Sequence, residues 1–332
     1  MKAKWGKVLM SNVSVIEAAE LLIKADNILI ITHRRPDGDT TGCAGALCRA
    51  LCQIGKNAYI LENPDITKRY KPLVEPYKAD DNFVPDFVVT TDIADINLFT
   101  PNAEKYIGKI DLVLDHHKSN SNFGKYNLVR ANAGACGEVI LDVIEHMGAS
   151  LATDIAECVY IALSTDTGCF KFSNTTPDTL RGAAKCLEAG VDGGEINRAL
   201  FEVKTWPRFQ MERIIFDKMQ FENDKKVAIA KLYRKDIDET GADMDDLDSI
   251  ASLTRQIEGV EVGITLTENK DGTVKASIRT TKEVDASAIC AKCGGGGHIR
   301  AAGASFDENI DIETAYKMIV NATMEVYRET NG

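Results

Sequence analysis

Residues 28–42 read ILIITHRRPDGDTTG, and this segment indicates the fold class of the first half of the chain. It opens with a short apolar and β-branched run that stops abruptly at His33, before a loop rich in proline, glycine and aspartate. Such runs are typical of strands buried on both faces of a parallel sheet. Residues 41–53, TGCAGALCRALCQ, then place apolar residues at helical spacing. We therefore predict a strand, a loop of polar side chains and a helix.

Further apolar runs in the first half also end at a residue able to bind a metal ion. They are residues 87–91 (FVVTT) before Asp92, residues 112–114 (LVL) before Asp115, and residues 159–165 (VYIALST) before Asp166. With a second helix at 136–146, the alternation predicts a doubly wound α/β domain with a mainly parallel sheet. Ligands of such sheets bind beyond the carboxyl ends of the strands. One aspartate after a strand is more often a turn or helix cap, but four runs in one domain that each end at a candidate metal ligand favour a shared site.

The pattern of apolar and charged residues changes after about residue 180. We predict a helix at 180–189, a break at VDGG (191–194) and a charged helical stretch that reaches residue 220. Clearer alternation then predicts a smaller mixed α/β domain, with a cleft between the two domains. The predicted organisation is a catalytic domain over 1–190, a linker region over 191–225 and a substrate-binding domain over 226–332. Within the last domain we predict strands at 226–233, 260–268 and 273–280 and helices at about 245–258, 285–292 and 312–328.

Composition limits the classes of function. The net charge of −11 argues against a protein that grips long nucleic acid through a basic surface, although a small anionic substrate is allowed if metal supplies positive charge. Nine cysteines, an odd number, predict free thiols in a reducing compartment, and we predict a cytoplasmic protein. Residues 1–27 lack the apolar centre of a signal peptide, and no segment has the roughly 18 apolar residues of a membrane span.

Two clusters in the first domain carry metal-binding chemistry. His33, Asp37 and Asp39 lie within seven residues of one loop, and imidazole with carboxylate suits Mn²⁺ and similar ions better than ions that prefer thiolates. The alternative is a capped turn. Asp115-His116-His117 is the second cluster; neighbouring side chains of an extended chain point to opposite sides, so one histidine is expected to bind metal. Ordinary surface histidines are the alternative there.

Gly294-Gly295-Gly296-Gly297-His298 is an unusual composition in the second domain. Successive glycines can expose backbone N–H groups to a phosphate, and a helix predicted to begin near Arg300 would add its positive end. A flexible turn is the alternative, but the adjoining His298 and the nearby Arg279 favour phosphate binding. Cys290 and Cys293 form a lone C-x-x-C without a second pair at zinc-ribbon spacing, so they are expected to pack. The predicted substrate-binding residues are Arg279, Gly295, Gly296, Gly297 and His298.

In this order the motifs resemble those of the DHH phosphoesterase superfamily, specifically DHH/DHHA1 members described as nanoRNases or bifunctional oligoribonuclease and pAp phosphatase proteins. The resemblance covers nearly the whole chain. The motifs that carry it are THRRPDGDTTG (32–42), TTDIAD (90–95), DHHKSN (115–120), ALSTDTGCFKFSNTT (162–176), TVKASIRT (273–280) and GGGGHIRAAG (294–303).

The resemblance implies an enzyme in which two divalent cations, expected to be Mn²⁺ with Mg²⁺ or Co²⁺ as alternatives, activate a bridging hydroxide. It implies that Asp115 orients a histidine and that His117 faces the scissile phosphate. Thr40–Cys43 stands where family members often have Ala-x-Gly-Ser, a departure expected to affect loop packing alone. The implied ligands are His33, Asp37 and Asp92 for one ion, and Asp39, Asp92, His116 and Asp166 for the other.

The implied function is hydrolysis of short oligoribonucleotides or pApA-type dinucleotides, with removal of the 3′-phosphate of pAp as a further activity. An inorganic pyrophosphatase or exopolyphosphatase on the same catalytic domain is the alternative, disfavoured because the glycine-rich end resembles DHHA1. A RecJ-like exonuclease would need more basic surface. A non-catalytic nucleotide-binding protein would be expected to have lost ligands. Substrate preference, direction of attack and oligomeric state, a homodimer included, stay open.

Overall fold

The computed structural model describes residues 11–243, 246–247, 250–281 and 284–331. The chain divides into two compact units, residues 1–203 and 204–332. The first ten residues lie outside the described residues, and the prediction that the chain has no signal peptide partly concerns them. Residues 245, 248 and 249 of the helix predicted at 245–258 also lie outside the described residues. Among the described residues, no helix combines the length and the apolar character that a membrane crossing requires.

A parallel sheet forms the centre of the first unit. Its strands are β1 (Ser11–Asn12), β2 (Ile28–Ile31), β3 (Ala58–Ile60), β4 (Phe87–Thr91), β5 (Leu112–Asp115) and β6 (Tyr126–Val129). They pair in the order β1-β6-β5-β4-β2-β3, and every pairing is parallel. The predicted α/β fold is therefore confirmed. Because β5, β4 and β2 are neighbours, their carboxyl ends meet at one edge of the sheet.

Both faces of this sheet are covered. Helices α1 (Val15–Lys24), α2 (Gly38–Gln53), α4 (Cys136–His146) and α5 (Thr153–Asp166) share one continuous apolar core with the sheet. The connection 93–110, which contains three-ten turns at Ile96–Leu98 and Glu104–Tyr106, covers the other face through a smaller apolar cluster. Coverage on both sides explains why the strands read as uninterrupted apolar runs. The helices are α1 (Val15–Lys24), α2 (Gly38–Gln53), α3 (Lys71–Val74), α4 (Cys136–His146), α5 (Thr153–Asp166), α6 (Pro177–Glu188) and α7 (Gly193–Asn197), the last followed by a π-helical turn at Arg198–Glu202.

The prediction of a strand at residues 159–165 is wrong, because this run belongs to helix α5. Helix α5 packs so closely on α2 that a Cβ atom at Gly42 would lie 2.5 Å from the carbonyl oxygen of Cys158. A helix enclosed in this way is apolar on most of its surface, so its sequence loses the helical period and resembles a buried strand. Asp166 consequently stands at the C-terminal end of a helix and not at the end of a strand.

The second unit contains a mixed sheet with helices on both faces. Strands β8 (Val227–Leu232) and β9 (Val262–Glu268) pair in parallel and the other pairings are antiparallel. Helices α10 (Ala286–Ala291) and α11 (Ile312–Asn331) pack on one face. Helices α8 (Trp206–Lys218) and α9 (Arg234–Thr240) and a three-ten segment at Ile250–Arg255 pack on the other. In the order β11-β12-β10-β9-β8-β7 the strands are β7 (Gln220–Glu222), β8 (Val227–Leu232), β9 (Val262–Glu268), β10 (Val274–Thr280), β11 (Gly296–His298) and β12 (Ala301–Phe306), and the helices are α8 (Trp206–Lys218), α9 (Arg234–Thr240), α10 (Ala286–Ala291) and α11 (Ile312–Asn331).

The helix predicted to begin near Arg300 is wrong, since residues 301–306 form strand β12. Ala302, Ala304 and Phe306 alternate with more exposed residues and face the core shared with α10 and α11. Small side chains make this two-residue period weak in the sequence, and only pairing with β10 reveals it. The predicted linker region 191–225 contains α7, the π-helical turn and α8, and α8 packs on the second sheet through Met211 and Ile215.

Candidate metal centre

The loop after β2 carries His33, Asp37 and Asp39 into the first turn of α2. Asp37 is the N-cap of this helix, and its Oδ1 accepts hydrogen bonds from the backbone nitrogens of Asp39 at 3.0 Å and Thr40 at 3.2 Å. The capped turn and the metal site, which were alternatives in the sequence, are therefore compatible, because Asp37 caps the helix and is also a candidate ligand. A Cβ atom at Gly38 would lie 2.5 Å from the side chain of Thr165, so glycine there lets this loop approach the end of α5.

Asp92 lies at the centre of the site, directly after the middle strand β4. Its backbone adopts φ +59°, a left-handed conformation that aspartate tolerates better than most residues but that still strains the chain. The side chain is 3 % exposed, and no described residue donates a hydrogen bond to its Oδ1. A buried carboxylate oxygen without a donor is costly unless a cation lies beside it. This oxygen is the clearest sign that the residues fit bound metal.

Candidate ligand atoms converge on both sides of Asp92. On one side, Nε2 of His33 lies 3.7 Å from Oδ1 of Asp37 and 3.8 Å from Oδ2 of Asp92. On the other, Nε2 of His116 lies 3.8 Å from Oδ2 of Asp39, 3.5 Å from Oδ1 of Asp92 and 3.7 Å from Oδ2 of Asp166. Among the residues that the structure describes, three groups have ligand atoms within 4.8 Å of one another and could hold an ion: His33 with Asp37 and Asp92, Asp39 with His116 and Asp166, and Asp92 with His116 and His117.

The electrostatics of the carboxylates agree with a cation site. Burial, followed by the charges of Asp166 and Asp37, raises the pKa of Asp39 well above its usual range. Burial and then the charge of Asp39 raise the pKa of Asp92 in the same way. For Asp37, burial alone would raise the pKa, but the hydrogen bond and charge of His33 outweigh it and the pKa is lowered. A divalent cation between these groups would favour their ionised forms.

Each histidine of the second cluster has its own hydrogen-bond partner. Nδ1 of His116 lies 3.1 Å from the carbonyl oxygen of Ala133, which leaves Nε2 to face the carboxylates. Nδ1 of His117 lies 2.8 Å from Oδ1 of the fully buried Asp115, so the histidine that Asp115 orients is His117. The hydrogen bond that His117 donates to the carboxylate of Asp115 raises the pKa of His117, against the effect of burial. Two different anchors thus give neighbouring histidines different tasks.

Sequence reasoning missed two contacts of this site. The thiol of Cys43 donates to Oδ1 of Asp39 at 3.1 Å, so the departure at Thr40–Cys43 reaches a candidate ligand as well as loop packing. The side-chain amide of Asn174 lies 3.2 Å from Oδ2 of Asp166. Asn174 belongs to the motif ALSTDTGCFKFSNTT (162–176). The spacing within this motif does not indicate that Asn174 lies beside Asp166.

In the second unit, Arg279 and His298 lie in one row across three strands. Arg279 is opposite Ala301 on β12, and Ala301 is opposite His298 on β11. Directly opposed residues point to the same face, here the one away from α10 and α11, because Ile278 and Ala302 face those helices. The structure therefore brings the predicted pair together across the small side chain of Ala301. Nη1 of Arg279 donates to the carbonyl oxygen of Ile278 at 3.0 Å.

Gly295, Gly296 and Gly297 take part in the hairpin formed by β11 and β12. Gly297 adopts φ +146°, and a Cβ atom there would lie 2.7 Å from Cα of Ala302. The glycines thus allow close pairing of this edge strand, and no helix begins beside them. Cys290 is buried in the core of the unit and Cys293 is half-buried, both as free thiols.

Comparison with known proteins follows the same two-unit division. The family model described as "DHH family, N-terminal domain" matches residues 27–163, and the model described as "DHHA1 domain" matches residues 224–325. The bifunctional oligoribonuclease and PAP phosphatase NrnA of Thermus thermophilus is 33% identical over 302 residues, covering 90% of this chain and 89% of that protein. The chain belongs to the DHH/DHHA1 phosphoesterase family.

Two further proteins that resemble this DHH/DHHA1 phosphoesterase share a lower sequence identity with it. The protein of the same name from Bacillus subtilis is 24% identical over 288 residues, covering 84% of this chain and 89% of that protein. A crystal structure of an exopolyphosphatase-related protein from Bacteroides fragilis superposes with a TM-score of 0.84 at 20% identity, covering 96% of this chain and 98% of that one. The structural likeness confirms the fold, and the family consists of phosphoesterases, so the chain is a hydrolase.

Proposed function

We propose that this DHH/DHHA1 phosphoesterase hydrolyses short oligoribonucleotides and dinucleotides and removes the 3′-phosphate of pAp, using two Mn²⁺ ions. The observation that carries the proposal is the buried, partly unpartnered carboxylate of Asp92, which lies between His33 and His116, and these two histidines belong to separate candidate ligand groups. The names of the relatives from Thermus thermophilus and Bacillus subtilis support the substrate class. The sequence motifs support the same assignment.

The donor set supports the choice of metal. His33, Asp37 and Asp92 would hold one ion, and Asp39, Asp92, His116 and Asp166 the other. Carboxylate oxygens with imidazole nitrogens suit Mn²⁺, with Mg²⁺ and Co²⁺ as the alternatives to test. When bound, two divalent cations lower the pKa of an attacking water and offset charge on the phosphoryl oxygens.

His117 would contact the scissile phosphate. Its Nδ1 is held by Asp115, so Nε2 is the atom left to meet substrate, and its side chain is 42% exposed while that of Asp115 is buried. A hydrogen bond from Nε2 to a phosphoryl oxygen would orient the substrate and stabilise developing negative charge. Asp115 would act through His117 by fixing its orientation.

The second unit would bind the remainder of the substrate. Arg279 and His298 share one face of the sheet, and with the hairpin of Gly295, Gly296 and Gly297 they would hold a phosphate or terminal group. The net charge of −11 would disfavour long strands, so we expect a preference for about two to five nucleotides. A cytoplasmic location, consistent with nine free cysteines, and a homodimeric state stay predictions.

A competition of substrates tests the proposal. The purified protein is incubated with Mn²⁺ and, separately, with pAp, pApA, an RNA ladder of two to about 20 nucleotides and pyrophosphate, and initial rates are compared. We expect the dinucleotide, the shortest RNAs and pAp to be cleaved and pyrophosphate to be cleaved far more slowly. A pyrophosphate rate above all the others would favour the pyrophosphatase alternative. Equal kcat/KM for a dinucleotide and a long strand would contradict the length preference.

A further inference from the structure

The segment after Asp166 is strained and returns to it. Gly168, Cys169 and Phe170 all have left-handed φ values, +57°, +59° and +61°. Such a conformation is unfavourable for a non-glycine residue, so surrounding contacts must hold Cys169 and Phe170 in it. Backbone hydrogen bonds from Lys171 and Phe172 to the carbonyl oxygen of Thr167, each 3.0 Å, close the turn. The chain then reverses and brings Asn174 beside Asp166.

The amide of Asn174 donates to two separate parts of the metal centre. Its nitrogen lies 3.1 Å from the carbonyl oxygen and 3.2 Å from Oδ2 of Asp166, and 2.8 Å from the carbonyl oxygen of Gly134. Gly134 follows Ala133, whose carbonyl oxygen holds Nδ1 of His116. One side chain therefore connects the helix end that carries Asp166 with the loop that orients His116, and both residues belong to the same candidate ligand group.

The loop around Gly134 is itself fixed by the buried carboxylate of Glu138. Oε1 of Glu138 accepts hydrogen bonds from the backbone nitrogen of Gly134 at 2.9 Å and from the hydroxyls of Thr176 and Thr179. A Cβ atom at Gly134 would lie 2.6 Å from the carbonyl oxygen of Asn174, so the loop and the Asn174 segment are in close contact. Asn174 is thus attached to a rigid support on one side and to Asp166 on the other.

We propose that Asn174 is a positioning residue for one of the two metal ions, the ion assigned to Asp39, Asp92, His116 and Asp166. This inference rests on the proposed function for the existence of two ions. The donor groups of Asn174 fix the direction in which Asp166 offers Oδ2 and tie it to the loop behind His116. Partners beyond the ligands commonly control metal affinity in this way. The ion assigned to His33, Asp37 and Asp92 has no ligand in contact with Asn174 among the described hydrogen bonds.

Binding of Mn²⁺ to the metal-free full chain, measured by isothermal titration calorimetry, tests this assignment. In Asn174→Ala we expect one of two Mn²⁺ affinities to fall by about ten- to 100-fold and the other to stay close to wild type. Asn174 is exposed, so its truncation leaves no core cavity and the fold is expected to persist. Asn82→Ala is the matched control, because Asn82 is an exposed asparagine whose amide donates to Asp80 at 3.1 Å, in the same unit.

An isosteric variant separates hydrogen-bond donation from shape. Asn174→Asp keeps the size of the side chain but turns an acceptor towards three oxygen acceptors, so we expect it to bind the affected ion no better than Asn174→Ala does. Wild-type affinity in Asn174→Asp, unchanged affinities in Asn174→Ala, or equal weakening of both ions would each overturn the inference. So would a wild-type stoichiometry below two. Selective weakening supports it even if no oligonucleotide is cleaved, an outcome that would contradict the proposed function alone.

Discussion

Oδ2 of Asp39 accepts a hydrogen bond of 2.7 Å from the backbone nitrogen of Cys136. Asp39 belongs to α2 and Cys136 is the first residue of α4, whose N-cap residue, Ala135, offers no side-chain acceptor. Oδ1 of Asp39 also accepts from the backbone nitrogen of Gly137 at 3.0 Å. A candidate ligand is therefore held by the N-terminus of a neighbouring helix. Asp92 differs, since its Oδ1 has no donor among the described residues.

This contrast predicts how Asp92 affects stability. In metal-free protein, Asp92→Asn should unfold at a temperature equal to or above that of wild type, because the substitution removes a buried charge whose pKa burial raises. Mn²⁺ at about 100 times its dissociation constant should stabilise wild type by roughly 2.7 kcal/mol. In Asp92→Asn most of that gain should be lost. Thermal unfolding with EDTA and with Mn²⁺ measures both effects.

The exposed Asp81 provides the control for this comparison. Asp81→Asn makes the same chemical change away from the centre and should retain the full response to Mn²⁺. A response of Asp92→Asn equal to that of wild type would show that Asp92 is not a ligand. Initial rates on a dinucleotide should fall at least about 1,000-fold in Asp92→Asn, equivalent to roughly 4 kcal/mol of transition-state stabilisation.

His117 should affect turnover more than metal content. Its Nδ1 is bonded to Asp115, and Nε2 is proposed to meet the phosphate. We expect His117→Ala to keep two Mn²⁺ ions per chain and to lose about 100- to 1,000-fold in kcat, the usual range for removing one hydrogen-bond donor to developing negative charge. Metal analysis after gel filtration and steady-state kinetics provide the two measurements. Loss of one ion would instead identify His117 as a ligand, through the group that it forms with Asp92 and His116.

His298 and Arg279 should act mainly through substrate binding. Because they lie on the second sheet, His298→Ala and Arg279→Ala are expected to raise KM for a dinucleotide about tenfold or more, which corresponds to roughly 1.4 kcal/mol. The Mn²⁺ content should not change. Ser305→Ala is a control on the same strand as Ala301, since Ser305 is exposed and points to the same face of the sheet. Wild-type kcat/KM in both variants, or loss of manganese in either, would contradict this division of tasks.

Acid stability should depend on Glu212 of α8. Its side chain is buried beside Lys204 and Arg208, and Oε1 accepts from Nε of Arg208 at 2.8 Å. Burial alone would raise the pKa of Glu212, but the two basic partners outweigh it and the pKa lies below its ordinary value of 4.5. The folded state therefore binds the proton less well than the unfolded state. The contribution to stability is complete above about pH 5 and is lost as the pH falls through the lower folded pKa.

Urea unfolding of Glu212→Gln between pH 3 and pH 7 checks this expectation. The variant should be less stable than wild type by roughly 2 kcal/mol at pH 7, the range for hydrogen bonds to charged groups, and the difference should shrink below about pH 4.5. Glu239→Gln is the control, because Glu239 is exposed and its ion pair with Lys235 spans 3.6 Å. A difference that stays constant across the pH range would rule out the proposed ion-pair contribution.

The parallel sheet of the first unit and the positions of its strand-end residues could be predicted from the sequence. Strands β2, β4 and β5 are buried on both faces, so each appears as an apolar run that ends at a polar residue. Because the strands are parallel and adjacent, His33, Asp92 and Asp115 had to lie at one edge. The family motifs, each of which is a short local pattern, likewise predicted a DHH domain followed by a DHHA1 domain.

Some secondary-structure elements could not be predicted from the sequence, because their pattern of apolar residues depends on segments that are distant in the chain. Residues 159–165 are helical because α5 is enclosed by α2, and residues 301–306 are a strand because β10 pairs with them. Which histidine Asp115 orients, and the return of Asn174 to Asp166, depend on contacts made only after the chain has folded. The periodicity of apolar residues along a segment shows which of its faces packs against the neighbouring layer. The arrangements named here depend instead on packing and hydrogen bonds between segments far apart in sequence.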